Sequence, residues 1–143
     1  MKNLLIIETE YLGHYLTGYI KYILRGLHEK KVKIHLLVTD KTLKNGGGAL
    51  RILKNEKTKF YIDTIKYVDV ANKNFFSLFF YQFRLYFAIK KKFYELNKNN
   101  NFDHIFLTSA QRIDKAISIF GSPFKNNMFS CVFLGLKFHL KMF

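Results

Sequence analysis

Two short polar segments contain the residues whose types and spacing could do chemistry. The first, residues 8–15, follows an apolar run and reads Glu-Thr-Glu-Tyr-Leu-Gly-His-Tyr. A carboxylate such as Glu10 can accept a substrate hydroxyl. Gly13 and His14 fall where a helix should begin, and the free N–H groups and positive dipole end of a helix favour an anion. Glu10 and His14 are therefore candidate catalytic residues, and Gly13 is a candidate binding residue. A solvated loop acid and an ordinary first-turn histidine fit the same pattern.

The second segment, residues 108–112, reads Thr-Ser-Ala-Gln-Arg and follows another apolar run. Ser109, Gln111 and Arg112 are candidate binding residues there. Arg112 could reach a substrate phosphate or lie in solvent, and Ser109 fits the capping position of the next helix, which would by itself explain a serine. We interpret His35 and His104, within or beside predicted strands, as structural.

No metal site is predicted, because the chain has one cysteine and no pair of histidines spaced for a shared helix face. Three glycines at positions 46–48 precede a predicted helix. No Gly-Lys-Ser or Gly-Lys-Thr follows them, so they do not form a phosphate-binding P-loop, and we interpret them as a flexible loop.

Short apolar runs alternate with segments of helical periodicity, which predicts an α/β fold. The chemistry-bearing segments are then turns between strands and helices. We expect a Rossmann-like three-layer sandwich with a mostly parallel sheet, the first strand being central. The predicted strands cover residues 3–8, 32–38, 59–70, 102–107 and 128–136, and the predicted helices cover residues 14–28, 49–54, 75–97 and 110–120.

Length and charge limit the function classes. The 143 residues suffice for one domain, and no secretion signal is apparent, which predicts a cytoplasmic protein without disulfides. The formal net charge is +14, but the basic residues are mostly lysines spread along the chain, as an A+T-rich genome would produce. We therefore expect no nucleic-acid partner, and favour anionic phospholipid or phosphate-bearing substrates.

Residues 75–89 are apolar on nearly every side of a helix and lead into Lys90, Lys91 and Lys92. The run is shorter than the roughly 20 residues that a membrane span needs, and Gln82 and Arg84 interrupt it. Two interpretations stay open, and they can hold on different faces of the helix. One is a helix buried against the sheet whose outer face another element covers. The other is a helix lying in the interface of an anionic membrane, which would place the protein peripherally on the inner face of the cell membrane.

The opening segment resembles the start of a GT-B glycosyltransferase of the kind that builds bacterial surface polysaccharides. The likeness rests on residues 8–20, on Leu27 and on residues 32–37, and the Asp-plus-apolar strand at 102–109 is also similar. Enzymes of that family have two Rossmann-like domains with the active site between them. The resemblance thus implies that residues 1–143 are one Rossmann-like domain, the N-terminal, acceptor-side half of such an enzyme.

The resemblance also implies a function and its partners. A sugar would pass from a nucleotide-sugar substrate to a glycan or lipid-linked acceptor, with no cofactor, once a second domain or subunit completes the cleft. The turn at Gly13 and His14 would face the donor diphosphate, while Glu10, His14 and residues 109–111 would line the acceptor side. The isolated chain is then expected to be inactive. A non-catalytic remnant and a flavodoxin-like module that binds a phosphate ligand are the alternatives.

Overall fold

A parallel β-sheet forms the centre of the computed structural model, which describes residues 1–11, 15–45, 47–69 and 74–132. Within these residues the strands are β1 (Lys2–Ile7), β2 (Val32–Thr39), β3 (Phe60–Ile65), β4 (His104–Leu107) and β5 (Phe129–Cys131). Their order in the sheet is β3-β2-β1-β4-β5, and every neighbouring pair is parallel. The predicted α/β class with a central first strand is confirmed, and the sheet is wholly parallel.

Helices cover both faces of the sheet. They are α1 (Lys21–Gly26), α2 (Asp40–Asn45), α3 (Gly47–Lys54), α4 (Phe75–Asn100) and α5 (Asp114–Phe120). Apolar residues of α1 and α3 pack on one face with Ile6 and Leu36, whereas those of α4 and α5 pack on the other with Leu5 and Leu37. The alternation of side chains along a strand sends neighbouring residues to opposite cores, so the molecule has the predicted three layers.

The helix predicted over residues 14–28 is helical from Leu16 to Gly26 and ends two residues before its predicted end, and it does not begin as an α-helix. Leu16–Ile20 form a π-helical turn in which the N–H of Lys21 donates to the carbonyl of Leu16, and α1 follows directly. Thr17 and Gly18 are weak α-helix formers, which lowers the cost of this wider turn. Leu16 and Ile20 are both fully buried.

The prediction of a loop at residues 46–48 is wrong for Gly47 and Gly48, which form the first turn of α3. Burial of Leu50 and Leu53 against the sheet outweighs the low helix propensity of glycine. Residues 40–45, which no predicted helix covered, form α2. The Thr39 hydroxyl caps that helix by accepting a hydrogen bond from the N–H of Thr42 at 3.1 Å.

Several predicted boundaries also move. The third strand is confined to β3 and lies at an edge of the sheet, the fourth strand begins at His104, and the described part of the fifth strand is β5. The predicted helix over residues 110–120 is a 3₁₀ turn, Ala110–Arg112, followed by α5, which ends at Gly121 with a φ of 76°. Residues 133–136 of the predicted fifth strand lie outside the described residues.

The long helix α4 extends three residues beyond its predicted end. The Asn74 side chain caps its start by accepting from the N–H of Ser77 at 2.8 Å, and Asn101, with a φ of 48°, ends it. The polar residues before β4 therefore form the last helical turn. No helix formed by the described residues is long and apolar enough to span a membrane.

Burial along α4 predicts which phenylalanines stabilise the fold. Phe93 is fully buried, whereas Phe80 is 61% exposed on the same helix. Replacement of Phe93 with Ala should lower the free energy of unfolding by about 3–5 kcal/mol because it opens a cavity. The matched change Phe80→Ala should lower the free energy of unfolding by less than about 0.5 kcal/mol. Urea unfolding of both variants measures the difference, and similar losses would contradict the described packing of α4.

Candidate functional site

The sheet places a topological switch point between β1 and β4. The chain leaves β1 toward the face covered by α1 and leaves β4 toward the face covered by α5. Diverging connections open a crevice at the carboxyl ends of these two strands, which is the usual ligand position in open α/β sheets. Both polar segments singled out in the sequence begin here, at Glu8 and Thr108.

Glu8 is fully buried in this crevice. One of its carboxyl oxygens accepts a hydrogen bond from the N–H of Glu10 at 2.6 Å, and the other lies 2.7 Å from the hydroxyl of Thr108. The same hydroxyl lies 3.1 Å from the carbonyl oxygen of Ile7. Glu8 therefore ties the turn after β1 to the turn after β4.

The hydrogen count around Thr108 favours a protonated Glu8. A hydroxyl has one hydrogen and cannot donate to both the Glu8 carboxyl and the Ile7 carbonyl. If Glu8 is protonated, its O–H donates to Thr108, and Thr108 donates to Ile7, so each short contact is satisfied. Burial acts in the same direction: it raises the pKa of Glu8 to about 8, against the lowering influences of Thr108 and Arg112.

At the mouth of the crevice, Glu10 and Arg112 form an ion pair. Arg112 also donates to the hydroxyl of Tyr81 on α4 at 2.8 Å. Burial lowers the pKa of Arg112 from its ordinary value and raises that of Tyr81. The ion pair thus sits in a partly desolvated environment, where electrostatic interactions are stronger than in water.

An open groove with a volume of about 370 Å³ adjoins this ion pair. It is lined by Glu10, Tyr67, Leu78, Tyr81, Gln82, Gln111, Arg112 and Lys115. The side chain of Gln82 links α4 to the segment after β4. It accepts a hydrogen bond from the N–H of Lys115 at 3.1 Å and donates one to the carbonyl of Gln111 at 3.4 Å. The groove combines a carboxylate, two cations and two phenol hydroxyls, a set that can bind a hydroxylated or phosphorylated ligand.

Two buried hydroxyls at the switch point have no hydrogen-bond partner among the described residues: Thr9 Oγ1 and Ser109 Oγ. Ser109 precedes the 3₁₀ turn, but its side chain makes no capping hydrogen bond, so the capping explanation of this serine is wrong. Instead, the backbone carbonyl of Ser109 closes the 3₁₀ turn by accepting a hydrogen bond from the N–H of Arg112 at 3.2 Å. Buried hydroxyls normally have hydrogen-bond partners, and these two residues follow neighbouring strands, Thr9 after β1 and Ser109 after β4.

The structure brings four of the six sequence-selected residues to the same end of the sheet: Glu10, Ser109, Gln111 and Arg112. The other two, Gly13 and His14, lie outside the described residues. Sequence reasoning missed Tyr81 and Gln82, because nothing in an aromatic helix marks which residues meet a distant turn.

The two strand histidines lie apart from this groove. His35 Nδ1 is 2.9 Å from an oxygen of Asp63, and His104 Nε2 is 2.9 Å from the hydroxyl of Ser130. Among the described residues, no group of three histidine, cysteine or acidic side chains could hold a metal ion.

Comparison with known proteins supports the fold and not the sequence family. No family model and no curated protein matches the chain. The crystal structure of the glycosyltransferase of kitacinnamycin matches 98% of the chain with a TM-score of 0.56 and 8% identity. Two structures of the C-terminal domain of the PF1911 hydrogenase from Pyrococcus furiosus match 92% and 91% of it, both with a TM-score of 0.49, at 12% and 14% identity.

The glycosyltransferase match bears on fold alone, because identity is so low. It shows that this chain has a Rossmann-like fold similar to part of that glycosyltransferase structure. This chain spans 33% of the length of that glycosyltransferase, whereas it spans 91% and 89% of the two hydrogenase domain structures.

The protonation of Glu8 predicts a pH dependence of stability. Its pKa is about 8 in the folded state against an ordinary 4.5, so the folded protein binds more protons between these values and loses stability as pH rises through that window. The loss is at most about 1.4 kcal/mol per pH unit from this group. Glu8→Gln mimics the protonated acid, because its amide can donate to Thr108, and should remove this slope.

Urea unfolding at several pH values from 5 to 8, a window set by the Glu8 pKa, measures the slope. Glu29→Gln, at an exposed position before β2, is the matched control and should leave the slope unchanged. A wild-type stability that does not fall over this range would contradict a protonated Glu8.

Proposed function

We propose that the chain is the acceptor-side domain of a glycosyltransferase of the surface-polysaccharide type, and that the groove beside Glu10 and Arg112 binds the sugar acceptor. The observation that carries the proposal is the groove beside the ends of β1 and β4, whose lining includes the carboxylate of Glu10 and the cations Arg112 and Lys115. A glycan or a lipid-linked sugar offers hydroxyls that would satisfy such groups. The glycosyltransferase-like fold supports the same conclusion.

Glycosyl transfer needs a group that takes the proton of the attacking hydroxyl and groups that stabilise the leaving diphosphate. The acceptor oxygen forms a bond to the anomeric carbon, the bond from that carbon to the diphosphate breaks, and the diphosphate leaves with the electron pair. In our proposal Glu10 accepts the hydroxyl proton, and Arg112 and Lys115 attract the phosphate-bearing part of the substrates. Gly13 and His14 are proposed to face the donor diphosphate.

Glu8 has a different proposed role. It is fully buried and bonded on both carboxyl oxygens, so it touches no substrate in the described arrangement. As a positioning residue, it fixes the N–H of Glu10 and thereby the direction in which the Glu10 side chain leaves the turn.

A binding module without catalysis is the second candidate. Arg112 and Lys115 beside the groove favour it, because two cations suffice to hold a phosphate-bearing ligand without any reaction. The two candidates differ in which ligand binds this groove: an uncharged glycoside for the acceptor domain, and inorganic phosphate or a nucleotide for the module.

Binding to the groove can be tested by nuclear magnetic resonance on the isotope-labelled chain. We expect an alkyl glycoside to shift the amide signals of residues 9–11 and 108–112, and inorganic phosphate to shift them less. Gln111→Ala and Arg112→Gln should weaken the glycoside shifts. The control Arg51→Gln removes the same charge at an exposed position of α3 and should leave them unchanged. Shifts by phosphate alone would favour the module, and glycoside shifts confined to other residues would contradict the use of this groove for the sugar acceptor.

The isolated chain should not transfer sugar. One side of a two-domain cleft leaves the donor in water and lacks the contacts that closure supplies. Incubation of the purified 143-residue chain with nucleotide-sugars and glycoside acceptors, read out by mass spectrometry, should give no product and at most weak nucleotide-sugar binding. Turnover by the chain alone would contradict the assignment to one half of a cleft.

A further inference from the structure

The outer side of α4 exposes a continuous aromatic stripe. Phe76, Phe80 and Phe87 are 69%, 61% and 49% exposed, and they lie opposite the buried positions Leu85 and Ile89. Phe120 at the end of α5 adds to the stripe, since its ring lies 5.3 Å from that of Phe87. A contiguous exposed apolar patch of this kind usually marks an interaction surface.

Cations continue the same stripe. Arg84 lies between the exposed phenylalanines, and Lys91 and Lys98 follow at helical spacing toward the end of α4, all three exposed. None of the three has an ion pair with another described residue. The outward face is thus aromatic in its first half and basic in its second. Glu95, the one acidic residue of α4, lies beside Lys91 and Lys98 at helical spacing and pairs with Lys92.

The three consecutive lysines do not act as one cluster. Lys91 is exposed with the stripe, while the Lys92 amine is engaged in an ion pair with Glu95 at 2.8 Å. The Lys90 amine lies 5.9 Å from the ring centre of Tyr86. The helix therefore presents Arg84, Lys91 and Lys98 outward rather than the triplet that the sequence suggests.

An apolar groove runs beside the stripe, between α4 and the segment after β3. Its volume is about 470 Å³, and its lining includes Val68, Phe80, Phe83 and Phe87 together with two cations, Lys66 and Arg84. Apolar walls next to cations suit a molecule that has hydrocarbon on one side and negative charge on the other.

We infer that the outer face of α4 docks the protein onto an anionic lipid surface. The phenylalanines enter the boundary between headgroups and acyl chains, and Arg84, Lys91 and Lys98 contact the phosphates. A protein partner fits less well, because the cores of protein interfaces are depleted in lysine. The inference goes beyond the proposed function and does not use its groove, so either can fail alone.

Insertion can be measured with a single tryptophan, since the natural chain contains none. Phe80→Trp should shift its emission to shorter wavelength with vesicles of equimolar phosphatidylcholine and phosphatidylglycerol at low salt. Tyr22→Trp is the control, because Tyr22 is 67% exposed on α1, on the other face of the sheet. Its emission should stay unchanged. Equal shifts at both positions, or none at position 80, would overturn the inference.

Co-sedimentation with the same vesicles tests the charges. Lys91→Gln and Arg84→Gln should each weaken binding about fivefold at low salt, whereas Lys54→Gln, at an exposed position of α3 on the opposite face, should weaken it much less. Binding should also decrease as salt screens the headgroups. Equal losses of vesicle binding for Lys54→Gln and Lys91→Gln would show that only the net charge of the protein matters, and would overturn the assignment to this face.

Aromatic contact is tested by the double change Phe80→Ala and Phe87→Ala, which should weaken vesicle binding at least about tenfold while circular dichroism stays the same. Unchanged vesicle binding would contradict the inference. So would a wild-type chain that ignores anionic vesicles at low salt and instead self-associates through these phenylalanines, as sedimentation velocity would reveal.

Discussion

The complete burial of β1 is the constraint on which the rest of the structure depends. Leu5, Ile6 and Ile7 have no exposed surface, and alternate side chains of a strand point to opposite faces. Both faces of the sheet must therefore be covered by helices. With β1 at the centre, the chain leaves it toward one face and leaves β4 toward the other, and the crevice between their ends follows from that divergence.

The same geometry explains why a buried acid is tolerated at the switch point. Glu8 continues β1 into the crevice, where its N–H still donates to the carbonyl of Leu37 in β2. Its carboxyl group is removed from water, but as a neutral acid it completes a chain of hydrogen bonds through Thr108 to Ile7. A neutral, fully bonded acid costs far less to bury than an ionised one. The link fixes the two turns that carry the groove residues.

Helix α4 connects the candidate site to the proposed membrane face. Its inner side packs on the sheet and contributes Tyr81, which receives a hydrogen bond from Arg112, and Gln82, which braces the turn before α5. Its outer side carries the exposed phenylalanines and cations. One rigid helix would therefore hold the groove at a fixed distance from a lipid surface, a suitable arrangement for an acceptor that is linked to lipid.

Local pattern determined the order and type of the main elements, the central position of the first strand and the polar turns that contain Glu10, Ser109, Gln111 and Arg112. These features depend on apolar periodicity and on the topology of parallel sheets, both of which a sequence displays directly. Only the tertiary structure decided that Glu8 is buried beside Thr108, that the Ser109 hydroxyl is buried with no partner among the described residues, and that Tyr81 meets Arg112 across 31 positions of sequence. Burial and pairing between distant segments set these outcomes, and no local pattern records which segments will meet.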